Sequence, residues 1–309
     1  MRALAGIHRL AVIVFALSGL ACGEPTALAD SLRGLILFSK GSNRASELFV
    51  IRPDGTGLRQ LTHNDYWDSQ AHWSPDGRRI VFVSERDSVP GDPLLKGQIH
   101  VMDADGSNVR RLTNEASPPT NPRWSPDGTR ITFNRSGPDG WQHIHIMTAD
   151  GSQIRALTTG ESVDYSADWS PDGTKILFLS QRPPLDFSTM YVMNADGTDQ
   201  RMVAGDYACT DNVNEARWSP DGARIAYSCG ATLYVIDADG TDRTTIGTPT
   251  LEATAHAYPA WSPDGRRIAF TGGTPVAWDV YVIPATGGSR SRLTTDVALD
   301  LVFDWKRPR

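Results

Sequence analysis

The stretch Trp73-Ser74-Pro75-Asp76-Gly77 decides the fold, because it returns unchanged at 124–128, 169–173, 218–222 and 261–265. With Trp305 included, successive tryptophans lie 51, 45, 49, 43 and 44 residues apart, a period that means stacked supersecondary units. Pro presets the first central dihedral of a turn, Asp tolerates the second, and Gly takes the left-handed position that closes a bulged hairpin. Each copy therefore reads as the tip joining two antiparallel strands.

Working outward, a second strand follows every tip: 80–84, 131–134, 176–180, 225–229 and 268–271. Third strands then read Ile99-His100-Val101-Met102, Ile144-His145-Ile146-Met147, Met190-Tyr191-Val192-Met193, Leu233-Tyr234-Val235-Ile236 and Val280-Tyr281-Val282-Ile283, most of them ended by a tight turn such as Asp105-Gly106 or Asp150-Gly151. The unit is a four-stranded meander. Counting 35–39 as a further second strand gives six units with five complete tips. The stretch 300–305 (DLVFDW) ends in the right aromatic but lacks a tip, so it is expected to pair with the N-terminal strands. The fold class predicted is all-β: a six-bladed β-propeller of four-stranded antiparallel blades, closed by pairing of N- and C-terminal strands, which removes sheet edges.

At 309 residues and 39% hydrophobic, the chain has material for one closed domain. Its formal charge is -6, and without Arg2 and Arg9 of the leader it has 28 basic against 36 acidic residues. That sign argues against a phosphate-backbone partner, so nucleic acid is not expected. Residues 1–29 read as an export signal and short tether: a basic start precedes the apolar run 10–20, too short to span a bilayer. Cleavage before Cys22 would leave a lipid-anchored protein, whereas cleavage after Ala29 would leave a soluble one. The propeller domain is placed at 30–309. Export to the periplasm or an outer-membrane lipid anchor at Cys22 is the expected location, and that anchor is the expected route to a membrane. Cys209 and Cys229 then remain as an even pair in an oxidising compartment, and a disulfide between them is expected.

The Trp-Ser-Pro-Asp-Gly tips, the Met-Asx-Ala-Asp-Gly turns and the Arg-x-Leu-Thr segments at 110–113 and 155–158 resemble the PD-type repeats of the TolB-like β-propeller family. The resemblance covers roughly 34–305. It implies the propeller fold, and only weakly a function, since similar propellers serve an envelope protein, peptidases and sugar-acid lyases. The N-terminal α/β domain of TolB is expected to be missing here.

Repetition assigns structural roles to the tip tryptophans and tip aspartates. The Asp103 and Asp237 turns begin like calcium loops, but their twelfth positions are Asn114 and Thr248 instead of Glu. His143 and His145 share a strand face, a spacing that can bind a metal. His145, however, occupies the position of Phe49, His100, Tyr191, Tyr234 and Tyr281. No metal or cofactor is expected. Neither a Gly-x-Ser-x-Gly elbow nor His-Glu-x-x-His occurs.

Strand direction puts the length-variable loops on one face of the meander and both kinds of tight turn on the other. The variable face gathers Tyr66, Trp67, Asp68, Trp141, Asp164, Tyr165, Tyr207, His256, Tyr258 and Trp278, the candidate binding residues. The expected function is a noncatalytic exported scaffold, a monomer, that binds an envelope protein, peptide or glycan there. Alternatives are a lyase or hydrolase with its site at the channel mouth, or a structural subunit of an envelope complex.

Overall fold

A computed structural model describes residues 34–42, 45–87, 97–185, 187–203, 213–248, 255–274, 277–295 and 298–306. The leader and the cleavage sites at Cys22 and Ala29 lie outside the described residues. Every regular element described is a strand. Three strands open the chain: β1 (Leu35–Ser42), β2 (Ala45–Ile51) and β3 (Arg59–Gln60). Next come β4–β7 (Asp68–Trp73, Arg79–Ser84, Gln98–Asp103, Arg110–Arg111) and β8–β11 (Thr120–Trp124, Arg130–Ser136, Gln142–Thr148, Arg155–Ala156). β12–β15 (Val163–Trp169, Lys175–Gln181, Thr189–Asn194, Arg201–Met202) and β16–β19 (Val213–Trp218, Arg224–Cys229, Thr232–Asp237, Thr244–Gly247) follow. The last are β20–β23 (Ala255–Trp261, Arg267–Thr274, Ala277–Pro284, Ser291–Arg292) and β24 (Leu299–Lys306).

The fold is an all-β propeller, but six separate blades is corrected. Four discrete four-stranded blades are present, β4–β7, β8–β11, β12–β15 and β16–β19. The other eight strands form a single sheet, ordered β20-β21-β22-β24-β1-β2-β3 with β23 on β22. The ladder is uninterrupted because the chain entering β24 pairs Leu299 in parallel with Trp278 at the start of β22. β24 then runs antiparallel to β1, from Leu299↔Gly41 to Lys306↔Leu35 with one bulge. Around the axis each innermost strand packs on the next, β4, β8, β12, β16, β20 and β24, and β24 returns to β4.

The tip pentapeptide is a hydrogen-bonded cassette. In the first copy Ser74 Oγ donates to Asp76 Oδ1 at 2.6 Å, the Arg79 amide donates to Ser74 Oγ at 2.9 Å, and the Arg78 amide donates to Asp76 Oδ1 at 3.0 Å. The serine hydroxyl holds the Asp76 carboxyl below its ordinary value because the charged form accepts these bonds. The same geometry recurs at Ser125, Ser170, Ser219 and Ser262.

Arg-x-Leu-Thr is a joint between sheets. Its threonine Oγ accepts a third-strand amide of its own sheet, as from Ile99 to Thr113 and Ile144 to Thr158. Its arginine reaches the turn carbonyl of the next sheet, Arg59 to Asp105 at 3.2 Å, Arg110 to Asp150 at 3.4 Å and Arg155 to Asp196 at 3.3 Å. Its leucine carbonyl presses on the glycine of that turn: a Cβ at Gly106 would lie 2.2 Å from Leu61 O, and one at Gly151 2.6 Å from Leu112 O. Apolar side chains fill the space between sheets, as where Val81, Ile99 and Val101 meet Trp124, Ile131, Phe133 and Met147. His145 stacks on Phe133 with ring centroids 5.5 Å apart, just as Tyr191 meets Phe178 and Tyr281 meets Phe270, so this imidazole does the packing work of the aromatics at equivalent positions. His143 Nε2 meets Asp139 Oδ2 at 2.9 Å. Cys229 is buried and disulfide-bonded. Cys209 lies outside the described residues.

Closing the joint predicts a contrast between two glycines. Gly151 (φ 92) abuts the neighbouring carbonyl, whereas Gly140 (φ 83) has nothing within 4 Å of an added Cβ. Gly140→Ala should cost about 1 kcal/mol for the left-handed backbone alone, and Gly151→Ala about 2–3 kcal/mol. Urea unfolding midpoints measure the difference, and equal costs would remove the joint from the account of stability.

Candidate functional site

The innermost strands carry a repeated distortion that positions the site. Three residues before the tip tryptophan, Gln70, Asn121, Ser166 and Tyr258 all lie in the left-handed region, with φ of 51, 50, 55 and 55°. The strand pairing slips beside each of them. These are β-bulges, and non-glycine residues held there are strained. A bulge re-aims a side chain: Gln70, Asn121 and Tyr258 line a cavity of about 560 Å³ at the loop-face end of the axis. The Gln70 side chain accepts the Asn121 amide at 2.8 Å, which ties two of them together.

Trp67, Tyr165, Tyr258 and Trp278 stand around the same cavity. Tyr165 is oriented by its hydroxyl, which donates to Ser188 Oγ at 2.7 Å. Burial raises the hydroxyl pKa of both Tyr165 and Tyr258. At the floor lie His72, Glu215, Arg217 and Phe303. Arg217 and Phe303 also line a second cavity of about 440 Å³ that opens on the tip face.

A buried charged cluster forms the waist between the two cavities. Arg217 Nη2 pairs with Glu215 at 2.6 Å, Arg123 Nη1 with Asp168 at 3.4 Å, and His72 Nδ1 lies 3.8 Å from Asp304. Ser166 Oγ donates to Glu215. Backbone amides hold the other carboxylates: Trp218 N donates to Asp168 at 2.8 Å and Trp73 N to Asp304 at 3.0 Å. Burial, reinforced by the Arg123 charge, pushes the His72 imidazole down to about 3 against the Asp304 interaction, so it is neutral at physiological pH. Burial also lowers Arg123 to about 10, which leaves it charged, and raises Asp168.

The structure thus brings Trp67, Tyr165, Tyr258 and Trp278 together and places Tyr66, Asp68, Trp141 and Asp164 outside the cavity lining. Asp68 is a buried anchor for its own loop, accepting from Ser84 Oγ at 2.5 Å, Arg86 Nη2 at 2.8 Å and Asn64 Nδ2 at 2.8 Å. Asp164 does the same with Ser162, Ser180 and Arg182. Tyr66 and Trp141 are exposed away from the cavity lining. His256 pairs by its backbone with Gly272 in β20, and Tyr207 lies outside the described residues. Among the described residues no group of three or more His, Cys, Asp or Glu could hold a metal ion.

The waist escaped sequence reading, although a signal was present. The residue just before each tip-position tryptophan is His72, Arg123, Asp168, Arg217, Ala260 or Asp304. Ionisable residues at an inward position of a repeat, unlike one another in sign, mark a place where the repeat is not merely structural.

Known proteins agree with this architecture. Residues 33–137 match the family described as the TolB β-propeller domain, and residues 94–229 the tricorn protease N-terminal β-propeller domain. A Tol-Pal system protein TolB of Cereibacter sphaeroides is 36% identical over 103 residues, 29% of this chain and 22% of its own length. An uncharacterized peptidase, YuxL of Bacillus subtilis, is 32% identical over 95 residues, 31% of this chain and 14% of its own length. The chain therefore matches only a minor part of these relatives. The crystal structure of TolB from Acinetobacter baumannii superposes with a TM-score of 0.73 at 17% identity, covering 91% of this chain and 71% of that one, a likeness of fold.

The buried imidazole predicts a pH dependence of stability. Unfolded, His72 takes a proton near its ordinary value of 6.5; folded, only near 3. Between those values the unfolded state binds more protons, so His72 makes stability fall as pH falls. Asp300, whose carboxyl burial raises to about 6, acts in the opposite sense, so the comparison needs a variant. From pH 6.5 to 5 the wild type should lose about 2 kcal/mol more than His72→Gln, measured by denaturant titration. Parallel slopes would show that the imidazole is not held neutral.

Proposed function

We propose that this chain, whose repeats are those of the TolB-like β-propeller family, is a noncatalytic exported scaffold that binds a protein or peptide segment of the bacterial envelope at its loop-face mouth. The observation that carries the reading is the convergence of Trp67, Tyr165, Tyr258 and Trp278 on one cavity floored by Arg217 and Glu215. Aromatic anchors around a pocket with fixed polar groups are what a recognised segment needs. Lipid or soluble export accords with the disulfide at Cys229, since such bonds persist in oxidising compartments; Cys209 is the proposed partner. The chain enters β1 at Gly34, next to Trp305 and Lys306 on the tip side. A noncatalytic role is supported by the waist carboxylates Asp168 and Asp304, each engaged by a backbone amide.

Affinity capture from envelope extract, quantified on the captured protein, tests the site. Trp67→Ala or Trp278→Ala should weaken capture at least about tenfold with little change in melting temperature. Trp141→Ala, outside the cavity, and Arg78→Glu on the tip face should leave it nearly unchanged. Silence of the mouth variants together with loss in Arg78→Glu would put the site on the other face. For the cysteines, titration of unreduced, denatured protein should find neither Cys209 nor Cys229 free, and two reactive thiols there would remove the redox argument for export.

A further inference from the structure

The five complete tips can be compared position by position, and one of them departs from the others. In four, a basic side chain covers the tryptophan ring: Lys306 over Trp73 at 4.4 Å, Arg79 over Trp124 at 4.7 Å, Arg130 over Trp169 at 4.9 Å and Arg224 over Trp261 at 5.0 Å. Three of these cations come from the first residue of the second strand in the preceding sheet. At the equivalent position before Trp218 stands Lys175, and it points elsewhere: its Nζ donates to Asn194 Oδ1 at 2.7 Å and lies 3.9 Å from Asp199. Trp218 is half-buried, whereas the other four rings are 5–6% exposed.

Trp218 lines the 440 Å³ cavity on the tip face. Beside it is Asp168, whose Oδ2 accepts the Trp218 amide and whose Oδ1 has Arg123 at 3.4 Å. Asp304 and Asp76 add two more carboxylates to the lining. Its basic residues are Arg217 and Lys306, and both are engaged, Arg217 by Glu215 and Lys306 by the Gly77 carbonyl at 2.7 Å and the Trp73 ring. The cavity therefore presents one indole ring with no basic side chain of the described residues over it, beside the carboxylates Asp168, Asp304 and Asp76, and Pro171 and Pro220 offer apolar surface for an alkyl stem.

We propose that this tip-face cavity binds an organic cation, an ammonium or guanidinium group on a short aliphatic stem, seated on Trp218 with Asp168 as its nearest counter-charge. The ligand supplies to Trp218 the cation that the protein itself supplies to the other four rings. Stacking of a cation on indole is the strongest of the aromatic cases and gains as water is excluded. The same chemistry is carried by a free alkylamine and by a lysine or arginine side chain of another protein, and the test separates them. Trp218 lines a different cavity from Trp67 and Trp278, so failure of the tip-face site would leave the loop-face reading intact.

Isothermal titration of the full chain at low salt with n-butylammonium, N-acetyl-lysine methylamide, N-acetyl-arginine methylamide and the norleucine analogue tests the assignment. Saturable binding of the cations with the norleucine compound inert is expected. Amino-acid derivatives binding at least about tenfold more tightly than butylammonium would identify a protein side chain as the occupant, and equal affinities a free amine. Trp218→Leu should weaken binding at least about fivefold. Trp218→Phe keeps an aromatic in place and Asp168→Asn keeps an acceptor for the Trp218 amide, and each should weaken binding even if Trp218→Leu does not fold. Absence of saturable binding by folded wild-type protein, binding of norleucine as tight as lysine, or affinities unchanged in all folded variants overturns the proposal.

Discussion

No four-stranded blade in this protein buries an apolar face by itself; each does so only against a neighbouring layer, while the eight-stranded sheet also encloses a cluster between its own two halves, Phe38 and Val302 with Ala269 and Val282, and that dependence on a facing layer governs everything else. The contact is enforced at two radii. Far from the axis, a leucine carbonyl meets a turn glycine too closely for any side chain, while an arginine grips the same turn. Nearer the axis, the proline of one tip packs on the glycine of the following tip, with gaps of 3.5–3.8 Å to an added Cβ at Gly128, Gly173, Gly222 and Gly265. The repeat is thus a set of interlocking parts, in which the tip proline and glycine touch a neighbour while the tip serine and aspartate hold their own turn.

This explains why so much of the architecture was legible in the sequence and why part was not. Trp-Ser-Pro-Asp-Gly and Arg-x-Leu-Thr recur because the same joint is made repeatedly, so strands, tips and the pairing of 300–305 with the first strand could be read from periodicity. Separate blades could not be counted that way. Whether two adjacent sheets stay distinct depended on one backbone pairing, Trp278 with Leu299, which leaves no mark on either side chain. The loop-face aromatics were legible as departures from the repeat, but their convergence was not. Trp67 and Trp278 are about 210 residues apart in sequence and share a cavity, whereas Trp67 and its neighbour Tyr66 do not. Asp68 and Asp164 looked like recognition residues because loops carry function; burial and three partners apiece show that they fasten the loops instead.

Along the axis the protein combines strained backbone with unlike charges. Four left-handed residues in equivalent positions turn side chains inward, and the following residues but one, His72, Arg123 and Asp168 among them, supply the waist. Such a cluster is expensive to bury unless every member is paired, and Arg217, Glu215 and Ser166 form the most completely connected part of it. Retaining these groups instead of an apolar plug leaves a polar waist, with Arg217 reaching the lining of both cavities.

Lys306 has a mechanical consequence. It lies where a sixth tip would otherwise begin, and it reaches across to the Gly77 carbonyl and the Trp73 ring. It also sits at the end of the β24–β1 ladder, opposite Leu35, so the start of β1 and the end of β24 leave the sheet side by side. Tension drawn between those two points loads the ladder in peeling geometry, one pair at a time from Leu35 inward, and never in shear. The clasp of Lys306 on Gly77 sits at that loaded end, which ties the seam of the ring to the first tip.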